Sequence, residues 1–222
     1  MNRKEILHLG VASTFLCAAC IIVADRYIAL FAESLPDSVP TFFQRGTELL
    51  EIVFLWGISK YALGFLLFAA GVGMWIKKSW RKVGNLFLLI SLSHMLSRLI
   101  AGILKNVFGR LRPFEILESG NWNSQFFEGG GSLPSGHTAH FWGLFLPLMI
   151  AFPRFRIPLM IIPIFISLAR VVVNDHFFGD VLASLALSAF ITYGIIKLFY
   201  SKETLHPYYL VNEIKAPENL QK

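Results

Sequence analysis

The chain has 222 residues, of which 55% are hydrophobic, 14% aromatic and only 15% charged, and its formal net charge is +6. This composition excludes an ordinary soluble domain, in which about a quarter of the residues are charged, and it indicates a membrane protein. The basic residues are scattered between apolar runs rather than gathered in a stripe, so we exclude nucleic acid as a partner.

Six apolar windows meet or approach the length of about 20 residues that a helix needs to cross the hydrocarbon core. They are 6–24, 53–76, 83–104, 138–152, 157–173 and 180–200. Because lipid offers the backbone no hydrogen-bonding partners, each window is predicted to be helical. The sequence therefore predicts an all-α integral membrane protein in which residues 1–222 form a single domain, a bundle of six transmembrane helices.

The first window, 6–24, contains Cys17 and Cys20, the only cysteines of the chain. A redox Cys-x-x-Cys pair needs an accessible and electropositive setting, which an apolar helix lacks, so we interpret both as small packing residues. The window is longer than the apolar core of a signal peptide, which has about 7 to 15 residues, and no polar exit of small residues follows it. We expect it to be an uncleaved first span.

Basic residues at the ends of the windows predict the orientation, because cytoplasmic loops carry an excess of lysine and arginine. They are Arg3, Lys4, Lys77, Lys78, Arg81, Lys82, Arg154, Arg156 and Lys202. Since these residues fall at alternate ends of the windows, both termini are predicted to be cytoplasmic. The opposite side of the membrane then holds segments 25–52, 105–137 and 174–179.

Two regions outside the windows receive separate predictions. Segment 25–52 contains the amphipathic stretch TFFQRGTELLEIVFLW together with Pro36 and Pro40, and we expect it to lie along the outer membrane surface. Residues 201–222 are polar and are expected to form a peripheral cytoplasmic tail.

Three short motifs lie at window ends on the predicted outer side. They are KNVFGRLRP at 105–113, PSGH at 134–137 and RVVVNDHFFGD at 170–180. In the first motif, Lys105, Arg110 and Arg112 run against the charge bias expected on that side, which indicates that they have a function there. Because the loops that carry the motifs share one face of the membrane, their polar groups can meet.

The motif residues have the chemistry of a phosphate-binding site. Lys105, Arg112 and Arg170 supply three cations, and a guanidinium group matches the geometry of phosphate oxygens. Ser135 and Gly136 offer backbone N–H groups at the predicted start of a helix, whose dipole favours an anion, and glycine permits close approach. We expect these five residues to bind phosphate.

His137 and His176 add nucleophilic and acid–base chemistry to this set. A neutral imidazole can attack phosphorus, and a protonated one can give a proton to the leaving group. If the sixth window begins as a helix, His176 and Asp180 lie at i and i+4 on one face, where the carboxylate can accept the imidazole N–H. This spacing favours His176 as the nucleophile and leaves His137 as the acid.

Together the motifs resemble the signature of the type 2 phosphatidic acid phosphatase (PAP2) superfamily, which also contains acid phosphatases and vanadium haloperoxidases. They read Lys105-x6-Arg112-Pro113, then Pro134-Ser135-Gly136-His137, then Arg170-x5-His176-x3-Asp180. One position departs from the pattern, since Ala169 stands where the signature has serine. That departure affects only a minor hydroxyl contact.

The resemblance implies a bacterial integral-membrane lipid phosphatase with the six-helix fold of the PAP2 and haloperoxidase type, with no metal and no cofactor. By position, His176 is the implied nucleophile of a phosphohistidine mechanism, Asp180 its orienting partner and His137 the general acid. The implied phosphate-binding residues are Lys105, Arg112, Ser135, Gly136 and Arg170.

These observations predict hydrolysis of a lipid phosphate or pyrophosphate at the periplasmic face of a bacterial inner membrane, where the hydrophobic chain of the substrate can stay in the bilayer. The expected partners are the lipid substrate and the bilayer. Candidate substrates are phosphatidylglycerol phosphate, phosphatidic acid, undecaprenyl pyrophosphate and lipid A. Two other functions stay open: a phosphotransferase that moves phosphate between lipids, and a non-catalytic protein that binds or transports an anionic lipid.

A metal site is a further alternative, with His137, His140 and His176 and either Asp175 or Asp180 as ligands. The three nearby cations argue against a divalent metal there. In the third window, His94 and Arg98 are also polar. Arg98 shares a helix face with Lys105, and we interpret it as a structural or orienting group beneath the site.

Overall fold

The computed structural model describes residues 3–199, which form helices joined by turns and loops. The helices are α1 Arg3–Ala19, α2 Asp25–Glu33, α3 Ser38–Val53, α4 Ala62–Ile76, α5 Arg81–Phe108, α6 Pro113–Ser119, α7 Gly136–Ala151, α8 Arg156–Val172 and α9 Phe178–Phe199. The predicted all-α class is therefore confirmed for the described residues. The predicted tail, 201–222, lies outside them.

Four helical stretches are long and apolar enough to cross a membrane: Arg3–Glu33, Lys78–Ser119, Pro153–Val172 and Phe178–Phe199. The shorter helices α4 and α7 are also apolar, and α7 is buried along nearly its whole length. The chain is therefore a multi-pass membrane protein.

The predicted helical window 53–76 is wrong in its first part. Helix α3 ends at Val53 and α4 begins at Ala62, and between them Leu55 adopts a left-handed backbone conformation with φ 60°. Helix α4 has 15 residues, or about 22 Å at the usual rise of 1.5 Å per residue. Residues 54–61 are half-buried or exposed, and a largely apolar turn has a hydropathy similar to that of a helix, so composition alone did not separate the two. This turn carries Trp56.

The predicted segment 25–52 is mostly helical in the structure. A π-helical turn at Cys20–Ala24 joins α1 to α2, so the first helical run extends to Glu33 rather than ending near residue 24. The amphipathic stretch forms most of α3, which packs against α8. Both α2 and α3 are thereby placed beside the end of α8 that carries the third motif.

Helix α7 lies at the centre of the bundle and contacts α5, α8 and α9. Small and hydroxyl side chains allow the central helices to approach closely, as is common between membrane helices. A Cβ at Gly143 would lie 2.9 Å from the backbone Cα of His94, and Ser93 Oγ lies 2.7 Å from Thr192 Oγ1 across α5 and α9. This packing fixes the start of α7, where the PSGH motif lies.

Candidate active site

The three motifs meet at one end of the bundle. The backbone N–H of Ser135 donates to the carbonyl of Asp180 at 3.2 Å, and the hydroxyl of Ser184 donates to the carbonyl of Ser135 at 2.8 Å. On the other side, the Lys105 ammonium group donates to the carbonyl of Gly131, in the loop before PSGH. Direct hydrogen bonds thus connect all the segments that carry the motifs.

His176 lies in the short connection between α8 and α9. Its Nδ1 is 3.8 Å from Oδ2 of Asp180, which is longer than a hydrogen bond. The hydroxyl of Ser132 lies between them, 3.5 Å from Nδ1 and donating to Oδ2 at 2.5 Å. His176 and Asp180 do not lie on one helix as predicted, because α9 begins only at Phe178. Ser132 was not among the predicted residues.

Burial determines the charge state of His176, whose side chain is almost fully enclosed. Removal from water lowers the pKa of His176 to about 3, although the neighbouring Asp180 carboxylate opposes the shift. The imidazole is therefore neutral at physiological pH. A neutral ring has the free lone pair that a nucleophile requires.

Asp180 is held by a buried ion-pair network that the sequence did not predict. Nη1 of Arg110 lies 2.6 Å from Asp180 Oδ1, and Nη2 lies 2.8 Å from Asp25 Oδ2 on α2. The Arg110 side chain is 0% exposed, and it also donates to Gln125. The charge bias of the outer segment indicated that Arg110 has a function but gave no sign of its partners.

Arg112 and Arg170 share one carboxylate. Nη1 of Arg112 lies 3.2 Å from Asp175 Oδ1, and Arg170 forms an ion pair with Asp175 Oδ2. Because the same anion contacts both guanidinium groups, the two arginines face a common point. An oxyanion of a phosphate at that point can be bound by both.

Ser135 is the N-cap of α7, and its hydroxyl oxygen accepts from the backbone N–H of Thr138 at 3.5 Å. At Gly136, the absent side chain makes room for Arg98, since a Cβ there would lie 2.9 Å from Cζ of the guanidinium group. The same guanidinium lies over the ring of Trp56, 5.0 Å from its centroid. The glycine therefore lets α5 approach the start of α7, a purpose that the sequence analysis did not identify.

His137, the second residue of α7, contacts one residue in the last turn of α3 and one in the turn that joins α3 to α4. Its Nε2 lies 2.6 Å from Oε1 of Glu51, and its ring stacks on Trp56 with centroids 4.2 Å apart and planes at 22°. The hydrogen bond from His137 lowers the pKa of Glu51. Neither Glu51 nor Trp56 was predicted as a site residue, because Glu51 fell in the predicted outer segment 25–52, Trp56 fell in the predicted window 53–76, and neither belongs to a motif.

His140 and His94 form a separate buried pair, with Nδ1 of His140 2.8 Å from Nε2 of His94. The metal alternative required His140 to face His176. Within residues 3–199, no group of three or more histidine, cysteine, aspartate or glutamate side chains is arranged to hold a metal ion. His140 is instead paired with His94 on α5.

Comparison with known proteins agrees with this geometry. Residues 85–203, more than half of the chain and including all three motifs, match the PAP2 superfamily. The chain belongs to the PAP2 superfamily. The predicted family is thus confirmed.

Two curated relatives of this PAP2 protein are lipid A 1-phosphatases. The protein from Rhizobium johnstonii is 34% identical over 96 residues, 42% of this chain and 39% of the relative. The one from Rhizobium etli is 34% identical over 93 residues, 40% of each chain. The matches thus cover about two fifths of the length of these relatives.

A solved structure shares the fold. The transmembrane PAP2 type phosphatidylglycerolphosphate phosphatase from Bacillus subtilis superposes with a TM-score of 0.56 over 87% of this chain and 94% of its own, at 21% sequence identity. The helical arrangement is therefore that of a membrane PAP2 protein.

Proposed function

We propose that this PAP2 protein is a lipid phosphatase that hydrolyses a phosphate ester through a phosphohistidine on His176. The observation that carries the proposal is the arrangement around that residue. A buried neutral imidazole has an aspartate and a serine hydroxyl behind it, and two arginines converge on an anion beside it. These groups supply a nucleophile and an oxyanion clamp in one pocket.

In the first step, the imidazole nitrogen of His176 attacks phosphorus. A P–N bond forms, the P–O bond to the lipid breaks, and His137 gives its proton to the leaving oxygen. Nδ1 faces Ser132 and Asp180, so Nε2 is the attacking atom. Lys105, Arg112 and Arg170 stabilise the negative charge on the equatorial phosphate oxygens, aided by the backbone N–H groups at Ser135 and Gly136.

In the second step, a water molecule attacks the phosphohistidine. The P–N bond breaks, a new P–O bond forms, and His137, now neutral, accepts the proton of the water. Inorganic phosphate leaves, and both histidines return to their starting states. Asp180 is the orienting partner of His176 throughout. It acts through the hydroxyl of Ser132 and through the charge of its carboxylate, which lies 3.8 Å from Nδ1.

We place residues 1–222 in one domain in a bacterial inner membrane, with both termini in the cytoplasm and the pocket open to the periplasm. The positions of the lysine and arginine residues along the sequence support this orientation. Substrate chemistry then takes place at the membrane edge, and the hydrophobic part of the lipid stays in the bilayer.

Lipid A is the substrate that we place first, because both curated relatives are named lipid A 1-phosphatase. Phosphatidylglycerol phosphate comes next, since it gives the structural relative its name. The other two candidate substrates are phosphatidic acid, a phosphate monoester, and undecaprenyl pyrophosphate, an anhydride. Each presents a terminal phosphate on a membrane-anchored lipid.

The decisive experiment measures phosphate release from these four lipids by purified protein in detergent with EDTA, comparing wild type with His176→Ala. We expect release that persists in EDTA and falls by about 10⁴-fold or more in the variant, since the nucleophile is lost. Brief reaction with lipid labelled in its phosphate, followed by alkaline quenching, should leave label on wild type and none on the variant.

The alternatives give different results in the same experiment. A phosphotransferase releases little phosphate alone but moves label to a second lipid in a His176-dependent manner. A binding or transport protein forms no labelled protein, and its affinity for the lipid survives His176→Ala. Equal release by wild type and variant would contradict the histidine mechanism.

A further inference from the structure

The strongest unassigned contact lies at the start of α7, where Glu51 meets His137. The carboxylate belongs to the last turn of α3, and its oxygen lies 2.6 Å from Nε2 of the imidazole. Both side chains keep some exposure, 17% for His137 and 27% for Glu51. An ion pair that keeps contact with water contributes little to folding, so stability is a weak reason for its presence.

The surroundings of His137 give Glu51 a specific electrostatic effect. The other titratable or charged groups that face the ring are Arg98 on α5, Arg170 at the end of α8 and His140 on α7. Burial is the largest effect that lowers the pKa of His137, both arginines lower it further, and the contact with Glu51 opposes the shift. In the described part of the chain, Glu51 has the one carboxylate within ion-pair distance of that ring.

The hydrogen bond also determines which nitrogen of His137 is left for chemistry. Because the contact with His137 keeps Glu51 ionised, the carboxylate can only accept, and Nε2 must carry the proton between them. Nδ1 is then the nitrogen that can donate to a leaving oxygen. Trp56 stacks on the ring and limits its rotation about the bond that would exchange the two nitrogens.

We propose that Glu51 is a positioning residue for the general acid: it holds Nε2 of His137, directs Nδ1 to the leaving oxygen and stabilises the protonated ring before the proton is transferred. This inference rests on the proposed function, in which His137 protonates the leaving group. The carboxylate–imidazole pair acts here on the acid, as a carboxylate acts on the base in hydrolase triads. Glu51 lies on α3, outside the three motifs.

The test is the pH dependence of kcat/KM and kcat for Glu51→Gln on phosphatidic acid in mixed micelles, from pH 5 to pH 9. Without the carboxylate the imidazolium loses its proton at lower pH, so we expect the alkaline limb to move down by about one pH unit. At pH 8 kcat should fall by about tenfold, while at pH 5 the variant should approach wild type. Recovery at low pH would also show that the variant is folded.

Glu48→Gln is the matched control. Glu48 lies one turn before Glu51 on the same helix, is exposed, and accepts a hydrogen bond from Gln44 instead of from a histidine. The Glu48→Gln substitution removes the same charge from α3. If the alkaline limb of its pH profile also moved down, the cause would be a general surface-charge effect, and the proposal would be overturned. The Glu51→Asp variant, which keeps the charge, should retain more of the wild-type limb position than Glu51→Gln.

Two further outcomes separate this proposal from the proposed function. A loss of activity in Glu51→Gln that is equal at every pH, or no loss at all, would overturn the role of Glu51 while wild-type hydrolysis stands. Absence of phosphate release by wild type from any of the four lipids would remove the proposed function, and this inference with it.

Discussion

The two histidines of the pocket are supported in opposite ways. On the His176 side, Asp180 and Asp25 are bound to Arg110, and all three side chains are at most 2% exposed. On the His137 side, the supporting carboxylate is 27% exposed and comes from the end of a peripheral helix. The proposed nucleophile is therefore built into the folded core, whereas the proposed acid depends on a segment at the edge of the bundle.

This difference follows from what each group must do. The nucleophile needs a neutral ring in a fixed orientation, which burial and a rigid ion-pair network provide. The acid must gain and lose a proton in each cycle, and partial exposure to water lets it exchange that proton. Loss of the Arg110 cation on the first side should thus affect folding as well as rate, and variants of Glu51 on the second side should affect rate alone.

The largest effect is expected from Arg110→Met, which leaves Asp25 and Asp180 buried without their cation. Breaking a buried ion pair by removing one partner costs about 3 to 5 kcal/mol, so thermal unfolding in detergent should shift to clearly lower temperature and activity should fall. Arg112→Met is the control, because the Arg112 side chain is 32% exposed. Similar unfolding temperatures for the two variants would contradict the stabilising role of the buried Arg110 network.

Asp180→Asn should have the next largest effect. The amide keeps the shape of the side chain, but its neutral oxygen orients His176 and stabilises the phosphohistidine poorly. We expect kcat/KM to fall by about 100-fold while the protein stays folded. Steady-state kinetics on the best lipid of the panel, with circular dichroism as the check on folding, measures this. Rates within twofold of wild type would show that Ser132 alone positions the imidazole.

The sequence predicted the parts of the site whose spacing is short along the chain. The signature residues of PSGH and of the third motif meet because consecutive helices of a bundle return to the same membrane face. The contacts that sequence reasoning missed join distant segments: Arg110 lies 85 residues from Asp25, and Glu51 lies 86 residues from His137. Which side chains face each other at such distances is set by helix packing, which no local pattern records.

The same argument explains the error in window 53–76. Hydropathy measures how apolar a stretch is, and it does not distinguish a partly exposed apolar turn from a helix that faces lipid. Only packing shows that Trp56 turns inward onto His137. A polar residue at the edge of such a window, in this case Glu51, was the available signal, since a carboxylate at the membrane edge needs a partner.

Asp175→Asn tests whether the two arginines that contact Asp175 are available to bind phosphate. In the structure, the Asp175 carboxylate contacts Arg112 and Arg170, so a phosphate must compete with it for both cations. Neutralising the side chain should make inorganic phosphate a stronger competitive inhibitor by about threefold to fivefold, the range expected for a partly exposed ion pair. Weaker inhibition in the variant would mean that Asp175 helps to position the arginines.

The smallest expected effect concerns His176, whose imidazole we expect to stay neutral in mildly acidic solution. Burial lowers the pKa of His176 to about 3, whereas an unperturbed histidine titrates near 6.5, so the difference lies in the window between about pH 3 and 6.5. Because the folded state resists protonation in that window and the unfolded chain does not, the contribution of His176 to stability falls as pH decreases below about 6.5. Nitrogen NMR of protein labelled at histidine, with the His176 signals assigned through His176→Gln, should show a neutral ring from pH 7.5 down to pH 5. A signal that becomes protonated near pH 6.5 would mean that water reaches the ring, and the contrast between a buried nucleophile and an accessible acid would not hold.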